Sequence, residues 1–141
     1  MAVRVRVKIE LEGKSVETIA LVNSGFEADT PQILVPIKML LRSGIELSRL
    51  PGENVEYGTA GGLITMYVAR RVCRVYVVEP DRTVGGVEAD LVLSPMEREV
   101  LISDALGEEL RIVLLNLKKG YWRFSDDPPS KVRRSYPPQY W

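Results

Sequence analysis

Residues 19–30 read Ile19-Ala20-Leu21-Val22-Asn23-Ser24-Gly25-Phe26-Glu27-Ala28-Asp29-Thr30. The apolar run Ile19 to Val22, bounded by turn-forming side chains, has the form of a buried strand end. It meets Asn23-Ser24-Gly25, where an amide, a hydroxyl and a glycine stop the pattern and turn the chain. The segments on either side decide what kind of sheet this strand belongs to.

Upstream, Val3, Val5, Val7, Ile9 and Leu11 alternate with Arg4, Arg6, Lys8, Glu10 and Glu12, the period-two pattern of a half-buried strand. Gly13-Lys14 predicts a two-residue turn, which pairs that strand antiparallel with residues 15–22. Downstream, 33–36 reads as a short apolar strand, and Pro36 opens a brief helix, Ile37 to Arg42, closed by Gly44. Residues 53–79 predict a long hairpin. Asn54 to Tyr57 lead in, Gly58-Thr59-Ala60-Gly61-Gly62 turn, and an outgoing arm rich in β-branched and aromatic residues runs from Leu63 to Val78. Pro80-Asp81-Arg82 turns again before a strand over Val87 to Leu93. Ser94-Pro95-Met96-Glu97 has the form of a capping box, but Glu99-Val100-Leu101-Ile102 reads as a buried strand. The preferred reading is a turn at 94–98, a strand at 99–102 and a short helix at about 104–110. Residues 111–115 and 120–124 are then expected to close the sheet. From Ser125 the composition changes, and Pro128-Pro129 and Pro137-Pro138 predict an extended tail outside the core. Its Pro-Pro-Gln-Tyr matches a proline-rich ligand pattern, though disorder or an arm embracing a partner copy is the preferred reading.

The 141 residues are one domain's worth of chain. Lys+Arg and Asp+Glu are 19 each, so net charge supplies no attraction to nucleic acid or anionic membrane. Arg70-Arg71 and Arg133-Arg134 are scattered basic pairs without an aromatic platform, so no nucleic-acid partner is expected. There is no histidine, which removes Ser-His, Cys-His and His-metal chemistry together. The single cysteine, Cys73, excludes an intrachain disulfide and a paired-thiolate metal site, and reads as an inert structural thiol. Catalysis, if present, falls to carboxylates, lysine, tyrosine, hydroxyls or backbone. No metal and no cofactor is expected. Scarce amides beside abundant Glu, Arg and Val point to a thermophile. No apolar run reaches the length of a membrane span, and the start alternates where a signal peptide would be apolar, so a cytoplasmic protein is expected.

The stretch around Asn23-Ser24-Gly25 resembles the active-site segment of retropepsin-like aspartic proteases, an apolar pair followed by Asp-Thr/Ser-Gly. The 53–78 hairpin is similar to that family's flap. Val100-Leu101-Ile102-Ser103-Asp104-Ala105-Leu106 resembles the segment before its single helix, and Gly120-Tyr121-Trp122-Arg123-Phe124 resembles the closing strand of single-domain bacterial and archaeal members. The resemblance covers residues 3–124 and implies an all-β, closed barrel with one short helix in the C-terminal half and a hairpin flap, followed by the 125–141 tail. It also implies a homodimer acting on peptide or unfolded protein, because each chain brings one carboxylate of a pair. One carboxylate activates water and the other protonates the leaving group.

The chain departs from the family pattern at two points. The catalytic aspartate position is Asn23, and the glycine of the second segment is Ser103, with the match there one residue short. An amide has the shape of a protonated carboxyl but cannot take up a proton and return it, so this chain is expected to be inactive or nearly so. Either asparagine is encoded, giving a natural pseudo-protease, or the sequence is an Asp→Asn variant. The intact neighbourhood favours the variant.

By the resemblance, Ser24 interlocks across the dimer and Gly25 admits the substrate backbone; from its residues alone, the triplet is an ordinary turn. Glu27 and Asp29 fall where the family meets substrate or partner, or are solvated loop carboxylates. The tip Gly58-Thr59-Ala60-Gly61-Gly62 closes over a peptide or is a plain turn. Tyr57 and Met66 line the pocket or pack the hairpin. Two rival classes remain, a peptide-binding module without catalysis and a structural β-barrel dimer without ligand.

Overall fold

The computed structural model describes residues 2–141. Strands β1 (Arg4–Leu11) and β2 (Lys14–Leu21) form the expected hairpin, with Val5, Val7, Ile9 and Leu11 of β1 turned into the core. The turn sits one residue earlier than the sequence predicts. Glu12 and Gly13 both take positive φ (52° and 72°), and Lys14 already pairs with Leu11. Two left-handed residues match the twist of the flanking strands.

Next come β3 (Gln32–Pro36), α1 (Ile37–Arg42), a single 3-10 turn at Leu47–Arg49, β4 (Glu53–Thr59), β5 (Gly62–Val78) and β6 (Thr83–Ser94). β7 (Val100–Ile102) and α2 (Asp104–Glu109) follow. The sheet order is β1-β2-β7-β3-β6-β5-β4, and β1 also pairs with β5, so six strands close into a barrel and β4 extends from it as one arm of a hairpin. Closure leaves β1 without a free edge along Val7 to Leu11.

β5 manages its length through irregularities. Between Ala69 and Cys73 its register with β6 shifts, and Arg71 there has φ 55°. A second shift lies at Val75/Tyr76, opposite Gly85. A side chain at Gly85 would meet the Val75 carbonyl at 2.5 Å, and its φ of +130° favours glycine as well.

Two expectations are corrected. The resemblance implies one short helix, in the C-terminal half; there are two six-residue helices, α1, which the local sequence places at Ile37 to Arg42, and α2. Residues 111–124 do not close the barrel. β8 (Ile112–Asn116), β9 (Tyr121–Phe124) and β10 (Arg133–Arg134) form a separate three-stranded sheet, because β5 already occupies the closing position beside β1. Trp122 and Phe124 of β9 are fully buried and join this sheet to the main core.

The proline-rich stretch 125–141 is largely extended and runs back across its own barrel. Arg4 N–H donates to Ser135 Oγ at 2.8 Å and Tyr136 N–H donates to Arg4 O at 3.0 Å. Ile19 N–H donates to Gln139 Oε1, and Trp141 Nε1–H donates to Thr18 Oγ1. Arg133 anchors the stretch. It is 5% exposed and forms paired contacts to Asp127 and Asp81. Hydrogen bonds from Arg133 are the main reason Asp81 is lowered to about 2, and they likewise hold Asp127 well below the usual carboxylate range. Among the described residues, no helix is long and apolar enough to cross a membrane.

Candidate functional site

The loop 22–31 carries the Asn23-Ser24-Gly25 turn from β2 to β3. Both strands flank β7, β2 in parallel and β3 antiparallel, so the loop arches over the end of β7 where α2 begins. The first residues of α2 grip it. Asp104 N–H donates to Phe26 O and Asp104 Oδ1 accepts from Ala28 N–H, both at 2.9 Å. Ser103 Oγ accepts from Gln32 N–H at 3.0 Å while also capping α2 at Leu106 N–H.

Asn23 is half-buried, and its Oδ1 accepts the Val3 N–H at 2.9 Å. The adjacent Val22 N–H donates to Val3 O, so the amide side chain continues the pairing of the two chain segments by one more bond. Ser24 Oγ accepts from Phe26 N–H at 3.3 Å, the local hydroxyl turn. Gly25 has φ +81°, and no atom lies within 4 Å of the point a Cβ would occupy, so its requirement is backbone conformation and not space. Glu27 and Asp29 are exposed.

The β4–β5 hairpin stands beside this loop. Tyr57 on β4 packs edge-on against Phe26 of the loop, ring centroids 6.1 Å apart. Its hydroxyl donates to Gln32 Oε1 at 2.9 Å, and burial pushes the phenol's pKa up. Beneath the hairpin is a small apolar cluster of Leu34, Met66, Val68 and Val92, flanked by Phe26, Val55, Ile64 and Leu101. Met66 therefore packs under the hairpin and is 5% exposed. The tip, Gly58 to Gly62, is exposed and held by Thr59, whose hydroxyl donates to Gly62 O and accepts from Gly61 N–H.

Sequence reasoning missed Asp90. This carboxylate is 3% exposed on β6 and accepts from Thr30 Oγ1 at 2.7 Å, Gln32 Nε2 at 3.1 Å, Arg71 N–H at 2.9 Å and Arg70 Nη1 at 3.2 Å. Burial alone would raise its pKa, but these donors prevail and hold it below the ordinary value. A chain of hydrogen bonds thus runs from the barrel wall at Asp90 through Gln32 to Tyr57 on the hairpin. The available signal was Asp90 as the one charge inside the apolar run from Ala89 to Leu93. Cys73 is buried with its thiol donating to Ala89 O, and burial pushes it up to about 12, so it is protonated at neutral pH.

Among the described residues, no group of three or more His, Cys, Asp or Glu is arranged to hold a metal ion. No protein-family model matches the chain, and no curated protein matches it.

Proposed function

We propose that this chain is a barrel of the retropepsin-like aspartic-protease type, working as a homodimer that holds an extended peptide beneath the β4–β5 hairpin. In this reading the hairpin is the flap, and Asn23 leaves the site unable to activate water. The observation that carries the reading is the arch of loop 22–31 over the end of β7, with the amide-hydroxyl-glycine turn on it and a glycine-tipped hairpin beside it. A two-fold copy would bring two such turns together, the arrangement a shared carboxylate pair needs. Here each turn brings an amide, which has the shape of a protonated carboxyl and no basic function.

The test is Asn23→Asp. The reading expects the variant to cleave an unfolded protein at acidic pH, while the Asn23 chain binds the transition-state mimic pepstatin or a peptide without cleaving. An Asn23→Asp chain that cuts nothing, with neither form binding pepstatin, removes the protease reading.

The second reading is a peptide-binding module in which asparagine is the working residue. The Asn23 side chain has an intrachain task, accepting the Val3 N–H. That module binds peptide with Asn23 in place and gains no cleavage on Asn23→Asp.

A further inference from the structure

Residues 136–141 read Tyr-Pro-Pro-Gln-Tyr-Trp and lie along their own barrel without joining either sheet. From Tyr136 to Tyr140 exposure follows a period of three. Tyr136 and Gln139 are half-buried and turn inward. Tyr136 O–H donates to Glu79 Oε2 at 2.8 Å, and Gln139 Oε1 accepts Ile19 N–H at 3.1 Å. Pro137 and Pro138 are exposed, and Tyr140 is 55% exposed. A period of three is that of a polyproline II helix, in which residues i and i+3 share a face. The covalent structure favours that form, since proline fixes its own φ at about −65° and pushes the residue before it into extended backbone.

The backbone bonds that hold this segment to the barrel lie at its two ends. Tyr136 N–H donates to Arg4 O at 3.0 Å, and Trp141 N–H donates to Arg98 O at 2.8 Å. Between these anchors, among the described residues, no backbone group of Pro137 to Tyr140 is bonded within the chain. The Arg98 guanidinium lies 5.1 Å from the centre of the Tyr140 ring and steadies it at the surface.

We propose that Pro137-Pro138-Gln139-Tyr140 is a docking motif for a protein domain with an aromatic-lined groove, of the class that takes Pro-Pro-x-Tyr segments. Such grooves pack proline rings against aromatic side chains and donate hydrogen bonds to the ligand's backbone carbonyls. Here Pro137 and Tyr140 share the outward face, and the carbonyls of Pro137 and Pro138 are free. Gln139, at the position such a groove does not read, is the residue that anchors the segment to the barrel. A groove that takes Pro-x-x-Pro fits less well, because the residue three after Pro137 is tyrosine. Folding has already ordered the segment, so a docking partner does not have to immobilise a free peptide. This docking role is independent of the protease-type reading, since it needs neither Asn23 nor the β4–β5 hairpin.

The experiment is isothermal titration of the full chain with an isolated WW domain that binds Pro-Pro-x-Tyr peptides, beside a synthetic peptide of residues 134–141. The full chain is expected to bind at least as tightly as the peptide. Pro137→Ala and Tyr140→Ala, both at exposed positions, are each expected to weaken binding by about tenfold or more with circular dichroism unchanged. Replacing the groove tryptophan of the WW domain by alanine is expected to abolish binding. Should either substitution in the chain disturb its fold, displacement of the unsubstituted chain by an unrelated Pro-Pro-x-Tyr peptide decides.

A full chain that does not bind overturns the docking motif, and if the free peptide binds where the chain does not, the barrel masks it. Binding that survives both folded variants overturns it too, as does binding that an excess of the competing peptide fails to displace.

Discussion

Asn23 shows how one side chain can belong to two accounts at once. Its Oδ1 is the acceptor for Val3 N–H, and a carboxylate at that position would accept the same bond. Asn23→Ala is therefore expected to cost about 1–3 kcal/mol, the price of an unpaired backbone donor, whereas Asn23→Asp keeps thermal stability near that of the unsubstituted chain. Thermal melts of the two variants check this, and a loss in both would show that the amide Nδ2 also matters. Asp90 makes a second prediction at this scale. Its pKa is depressed in the folded chain, so its contribution is complete above the unfolded value of about 3.9 and is lost as pH falls through the folded value. Asp90→Asn should lower stability at pH 7 and narrow the difference between variant and parent in acid, followed by urea titration at several pH values. Sequence alone shows that residue 23 is a polar turn position, because the apolar strand stops there. It cannot show the Val3 bond, which depends on how two segments twenty residues apart meet.

At the scale of elements, the strands with strict alternation or clear turn residues were legible, and those set by distant partners were not. β1 and β2 follow from Val3 to Leu11 and from Gly13, with the turn displaced by one residue because Glu12 also takes the left-handed conformation. The β4–β5 hairpin follows from the glycine cluster at 58–62. The destination of residues 111–124 was not legible, since nothing local says that β5 and not β9 lies beside β1. Arg133 was read as half of a scattered basic pair. Its burial is decided by Asp127 in its own segment and by Asp81 and Glu79 from the β5–β6 turn. Arg133→Met is expected to destabilise by at most about 3–5 kcal/mol, because the buried Asp127 loses its closest cation and keeps only Arg82 at 3.2 Å. The clip should also resist acid. Asp81 is depressed to about 2, so its share of stability is complete above about pH 3.9, declines as pH falls below that, and is gone once pH has passed through about 2. Native fluorescence of Trp122, whose ring lies near Arg133, followed down to that pH reports it. Gly85→Ala should lower the melting temperature more than a surface substitution does, since the Val75 carbonyl occupies the space its side chain needs.

The whole molecule is a closed barrel with a small sheet and a returning strap attached, and its contacts are dominated by partners far apart in sequence. The strap bonds Arg4 across a separation of 131 residues, and β1 reaches its closing partner β5 only after the intervening strands exist. Folding of such a topology is governed by loop closure, so refolding should be slow relative to helical proteins of this length. A stopped-flow trace on Trp122 burial, compared with the chain cut after Phe124, should show the truncated chain less stable and faster to unfold, because it loses Asp127, Arg133 and Trp141 together. For a chain emerging from the ribosome the strap has a further meaning. The first hairpin is complete early, yet the backbone groups of Arg4 and Ile19 that the strap covers stay open until residues 135–139 arrive. Throughout that interval the nascent protein presents unpaired strand groups to its neighbours.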